Sequence, residues 1–166
     1  MRYCRSKGFA VSLSMTLPAE EGLKNRPLCF VLTPLGKKAN LAGALVDFDA
    51  VYRNLIAPAV EGAGLEPLRA GEDFTEDFNL KPLFEWLTLC PFAVADLTLA
   101  NASLYYELGA RQAQRPGTTV LLCSDHQGTP LGAGALRAIP YSLAADGTPA
   151  DVAAAKQALA RGFEEA

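Results

Sequence analysis

Asp96 closes the apolar run from Phe92 to Leu97, and Glu107 stands in the opening turns of the helical pattern that follows, Ala102 to Gln114. Between them lie Thr98, Asn101 and Ser103, a cluster of hydroxyl and amide groups. An acid at a strand end and a second acid near a helix start gather where open α/β sheets bind ligands. A pair of carboxylates suits glycosidic chemistry. One attacks or stabilises an anomeric carbon while the other polarises or protonates the departing group, and a separation of about 5 to 5.5 Å fits a covalent, retaining route.

Each group also has a plain structural use. Asp96 or Thr98 can accept backbone N–H bonds within the turn instead of meeting a ligand. Glu107 can pair with Arg111 across one helical turn, a contact of roughly 0.3 to 0.5 kcal/mol. Against that, the helix dipole favours an ionised Glu107 by a few tenths to about 1 kcal/mol. Its neighbours Leu104, Tyr105, Tyr106 and Leu108 make a carboxylate costly unless it is used or paired. The loop Thr33-Pro34-Leu35-Gly36-Lys37-Lys38 offers backbone donors and two lysines, a seat for phosphate or ribose or simply a solvated lysine pair. Asn101 and Ser103 can bond a sugar or phosphate, or act as helix caps. Ser124-Asp125-His126 is no hydrolase triad, since three consecutive side chains do not converge. Gly132-Ala133-Gly134 follows a loop and makes no dinucleotide site.

The elements that must position these groups alternate. Leu28 to Leu32 reads as a doubly covered strand, and Phe48, Val51, Tyr52, Leu55, Ile56, Ala59 and Val60 form one helical stripe ended by Gly62 and Gly64, with Pro58 kinking the last turn. Leu65 to Arg69 reads as a second strand. An acidic loop, Glu72 to Asp77, leads to a helix from near Asn79, with Pro82 in its first turn. Strands at Phe92 to Leu97, Thr118 to Cys123 and around Arg137 to Leu143 follow, and an alanine-rich helix over Pro149 to Glu165 closes the chain. This βαβ rhythm predicts an α/β, three-layer flavodoxin-like sandwich: about five parallel strands in the order 2-1-3-4-5 with helices on both faces. Residues 1 to 26 lack periodicity and read as an irregular N-terminal extension, with one domain over 27 to 166.

The chain has 166 residues, half of them apolar, enough for one core. A net charge of -3 and a pI near 5.2 give no basic field, so a nucleic-acid polymer is not an expected partner. The four cysteines show no CxxC spacing and a single histidine accompanies them, which predicts neither a metal nor a disulfide framework. Apolar settings for the thiols point to a reducing cytoplasm. Arg2, Arg5 and Lys7 before Phe9 to Leu17 faintly mimic a secretory signal, but polar interruptions and the lack of a cleavage site argue against one. No stretch approaches the roughly 20 apolar residues of a membrane span.

Ala95-Asp96-Leu97-Thr98, Asn101 and Tyr106-Glu107-Leu108-Gly109 together resemble the signature segment of the nucleoside 2-deoxyribosyltransferase-like superfamily, which includes deoxynucleoside monophosphate N-glycosidases and is similar in layout to TIR-type NAD-cleaving domains. A narrower bacterial group resembles the chain over about residues 27 to 150, including Asp47-Phe48-Asp49-Ala50-Val51-Tyr52. The resemblance implies that Glu107 is the nucleophile and that Asp96 orients the sugar or assists the base. It implies substrate contacts at Thr33, Pro34, Gly36, Lys37, Asp73, Thr98, Asn101, Ser103 and Tyr106. It also implies a nucleotide or nucleoside as ligand, no cofactor, and a homodimer where sites are completed across subunits. The first-strand loop departs from the glycine- and serine-rich form of the nucleotide hydrolases. The alternative is a non-catalytic nucleotide-sensing or scaffold module of bacterial signalling or defence.

Overall fold

The structure is a computed structural model that describes residues 26–40, 43–69, 80–125 and 137–165. Apart from Arg26, the N-terminal extension lies outside the described residues, as do the acidic loop with Asp73 and the Gly132 to Gly134 segment. β1 (Leu28–Leu32) is buried from Cys29 onward, as its unbroken apolar run requires. β2 (Lys37–Ala39) and β3 (Leu45–Asp47) then pair as an antiparallel hairpin. The sequence pattern alone predicts a loop there. All of β2 is exposed, so it carries no apolar alternation by which a strand is read.

Asp47 caps the next helix by accepting from Ala50 N–H at 2.9 Å. α1 (Phe48–Val51), a π-helical turn (Tyr52–Ile56) and α2 (Ala57–Gly62) run on without a break. The wide turn, closed by Ala57 N–H donating to Tyr52 O, lies just ahead of Pro58. Proline lacks an N–H and crowds the carbonyl four residues back, so the helix widens upstream rather than kinking in its last turn. Gly64 takes a left-handed φ of 78° after α2 and turns the chain into β4 (Glu66–Arg69).

α3 (Leu80–Leu89), β5 (Phe92–Asp96), α4 (Ala102–Gln114), a 3-10 turn (Pro116–Thr118), β6 (Thr119–Ser124) and β7 (Ile139–Leu143) continue the alternation. Pro149–Ala150, expected as the start of the last helix, instead forms the short strand β8, and α5 begins at Val152 (Val152–Glu164). The main sheet runs β4-β1-β5-β6-β7-β8, parallel throughout except for β8.

The pleat sends alternate residues to two cores. Cys29, Val31, Val94, Val120, Leu122 and Tyr141 pack with the helix over 48–62 and with α5. Phe30, Leu32, Ala93, Ala95, Leu121 and Cys123 pack on the other face beneath Leu87 of α3 and Leu104 and Leu108 of α4. This is the α/β architecture with helices on both faces that the alternation predicts. Among the described residues no helix is long and apolar enough to cross a membrane.

Candidate functional site

Asp96 ends β5 with the pleat parity of Val94, so its side chain turns toward the face covered by the 48–62 helix and α5. It is fully buried. One carboxylate oxygen accepts from Thr98 N–H at 2.9 Å, and the other accepts from the Tyr141 hydroxyl at 2.9 Å. Tyr141 Oη also lies 2.9 Å from Thr98 Oγ1, which accepts from Ser124 N–H at 2.8 Å. The single Tyr141 hydroxyl proton thus has two acceptors in reach, the Asp96 carboxylate and Thr98 Oγ1. The result is a closed chain linking β5, β6 and β7. Burial pushes the Asp96 carboxyl up to about 6, against the downward pull of the Thr98 and Tyr141 bonds. Burial and the nearby Asp96 charge drive the Tyr141 hydroxyl well above its usual value. Asp96, expected to meet a ligand at its strand end, is instead enclosed, and its bonds stay inside the protein.

α4 starts at Asn101, whose side-chain oxygen accepts from Leu104 N–H at 2.9 Å. Ser103 Oγ donates to Glu107 Oε1 at 2.9 Å. Burial raises the Glu107 carboxyl above its ordinary value, partly offset by the Ser103 bond. Arg111 is not the partner of Glu107. It is fully buried and donates to Leu87 O at 2.8 Å, Cys90 O at 2.7 Å and Pro91 O at 3.0 Å, and to the Thr118 and Thr119 hydroxyls at 3.0 and 3.1 Å. Tyr106 is 67% exposed and meets Phe84 edge-to-face at 5.8 Å between ring centres. Leu104 and Leu108 of α4 pack on the face of the sheet opposite to that of Tyr141.

The loop after β1 is held by an arginine and two acids. Asp49 accepts from Gly36 N–H at 3.1 Å and from Arg69 Nη2 at 2.9 Å, and Arg69 also donates to Pro34 O at 2.9 Å. The Arg69 guanidinium lies over the Tyr52 ring, 4.8 Å from its centre. The Gly36 bond first, then Arg69, keeps the Asp49 carboxyl below its ordinary range. Lys37 pairs with Asp47 at 3.3 Å, and the buried Thr33 hydroxyl makes a long 3.4 Å contact to Pro34 O. The N–H that a phosphate would need at Gly36 is therefore committed to a carboxylate.

Sequence alone gives Tyr141, Arg69 and Asp49 no site role, and weighs Ser124 only within the rejected Ser124-Asp125-His126 run. Their partners lie 13 to 45 residues away, beyond any local pattern. A concavity of about 600 Å³ is lined by Thr119 and Ile139 at the starts of β6 and β7 with Arg137 and Arg161. Among the described residues no group of three or more His, Cys, Asp or Glu is placed to hold a metal ion. No known protein family matches the sequence, and no curated protein does at a significant level.

Proposed function

We propose that the chain binds a nucleotide or nucleoside and cleaves or transfers its N-glycosidic bond, with Glu107 as nucleophile. The observation that carries this reading is the state of Glu107: a half-buried carboxylate whose i+4 arginine, Arg111, is spent in the core instead of pairing with it. A carboxylate kept in such a setting is either used or costly. A Glu107 oxygen attacks the anomeric carbon as the C–N bond breaks. The base departs with the electron pair and takes a proton from solvent, and water or an acceptor nucleoside then resolves the glycosyl ester. The exposed Tyr106 ring, next to Glu107, offers a stacking face for the base. Asp96 supports the site from within by fixing the turn ahead of α4. The parallel strands β4-β1-β5-β6-β7 are, in this reading, a flavodoxin-like 2-1-3-4-5 sheet with β8 added at one edge. Three free buried thiols favour a reducing cytoplasmic setting.

Incubation with deoxynucleosides, deoxynucleotides and NAD, followed by chromatography, is expected to yield free base, and Glu107→Gln to lower its release at least roughly a hundredfold. Release that survives the substitution overturns the mechanism. The enclosure of Asp96 favours a second reading, a nucleotide sensor. Saturable binding by calorimetry with no base released by the wild type selects it.

A further inference from the structure

A serine in the first turn of a helix normally turns its hydroxyl onto a free backbone N–H. In α4 that task is already done, because Asn101 accepts from Leu104 N–H at 2.9 Å. The Ser103 hydroxyl is released to Glu107 Oε1, 2.9 Å away and four residues on, a spacing at which side chains of one helix face meet without strain. A hydroxyl has one proton to give, and here the carboxylate receives it.

We propose that Ser103 is a positioning residue for Glu107 rather than a ligand of the substrate: its hydroxyl pins Oε1, fixes the carboxylate rotamer and leaves Oε2 as the attacking oxygen. The inference rests on the glycosidic reading of Glu107. In the attack, Oε2 forms a bond to the anomeric carbon while the C–N electron pair leaves with the base, and Ser103 keeps its own proton throughout. Tyr106, the residue before Glu107, is exposed and stays open to the incoming ligand. The direction of the Glu107 shift agrees, since burial raises it and the Ser103 bond opposes the rise.

The test follows the Glu107 carboxyl by carbon NMR across a pH titration in wild type, Ser103→Ala and Ser103→Thr, beside the steady-state kinetics of base release. Ser103→Ala is expected to raise the Glu107 midpoint by roughly half a pH unit. It should lower kcat roughly tenfold with KM nearly unchanged, and Ser103→Thr should restore both. An unmoved midpoint with a raised KM overturns the proposal and makes Ser103 a substrate contact. A shifted midpoint in a protein whose Glu107→Gln variant still releases base overturns the glycosidic reading and leaves the Ser103–Glu107 contact standing, so the two failures are distinguishable. Circular dichroism of each variant checks that α4 is intact.

Discussion

Arg111 and Asp96 are buried charges that the protein treats in different ways. Among the described residues Arg111 forms no ion pair with a carboxylate. Its donors fan out to the carbonyls at the end of α3 and to the hydroxyls ahead of β6, tying two loops to α4. Its removal would orphan several buried carbonyls, each worth roughly 1 to 3 kcal/mol when left unpaired. Asp96 instead shares its charge with a tyrosine hydroxyl and a backbone N–H, which does not fully replace water. Its carboxyl is held at about 6, above the ordinary 3.8, so the folded state binds this proton more tightly than the unfolded chain. The stabilising contribution is therefore fully present below about pH 4 and is lost as pH rises through about 6, some 3 kcal/mol in all. Asp47, Asp49 and Asp146 are held low, chiefly by Ala50 N–H, Gly36 N–H and Thr148, and act in the opposite sense. The Asp96 effect is isolated by subtraction: urea melts of wild type and Asp96→Asn from pH 4 to 7 should show the wild type losing ground to the variant as pH increases. A constant difference would contradict the burial argument.

The helices and most strands follow from local pattern. α4 begins at the predicted residue because an asparagine with a free side-chain oxygen precedes an amphipathic run, but the i,i+4 partner expected for Glu107 was Arg111, and the structure gives it Ser103 instead. The β2–β3 hairpin and β8 were not readable, since short strands with exposed residues are defined by their partners. The turn after β7 is one such partner. Gly147 O accepts from Asp47 N–H at 2.9 Å, anchoring the hairpin to the end of the main sheet. Gly147 has φ 82°, and a Cβ there would overlap the Leu45 carbonyl. Gly147→Ala is expected to cost at least about 1 to 2 kcal/mol from backbone conformation alone. The clash adds to this and lowers Tm by several degrees, and calorimetry decides the point. An unchanged Tm would mean that the hairpin does not depend on this turn.

At the scale of the whole molecule, the alternation of apolar strands and amphipathic helices was enough to place five strands and both helical layers. It did not show that Asp96 would be enclosed in one of the two layers into which the sheet divides the core, because that depends on pleat parity at Asp96 and on Tyr141, which lies 45 residues away and one strand beyond the neighbouring β6. The same division has a kinetic consequence through the thiols. Cys29 lies in one core, and Cys90 and Cys123 lie in the other, all 5% exposed or less. Burial raises the Cys29 and Cys123 thiols and pushes Cys90 up to about 11, so none reacts readily while the fold is closed. In a Cys4→Ser background, the rate at which a disulfide reagent reaches each thiol becomes a clock for the opening of its layer. Equal rates at Cys29 and Cys123 are expected if the two cores open as one cooperative unit, whereas faster labelling of Cys123 would show the α3–α4 layer lifting first and carrying Glu107 with it.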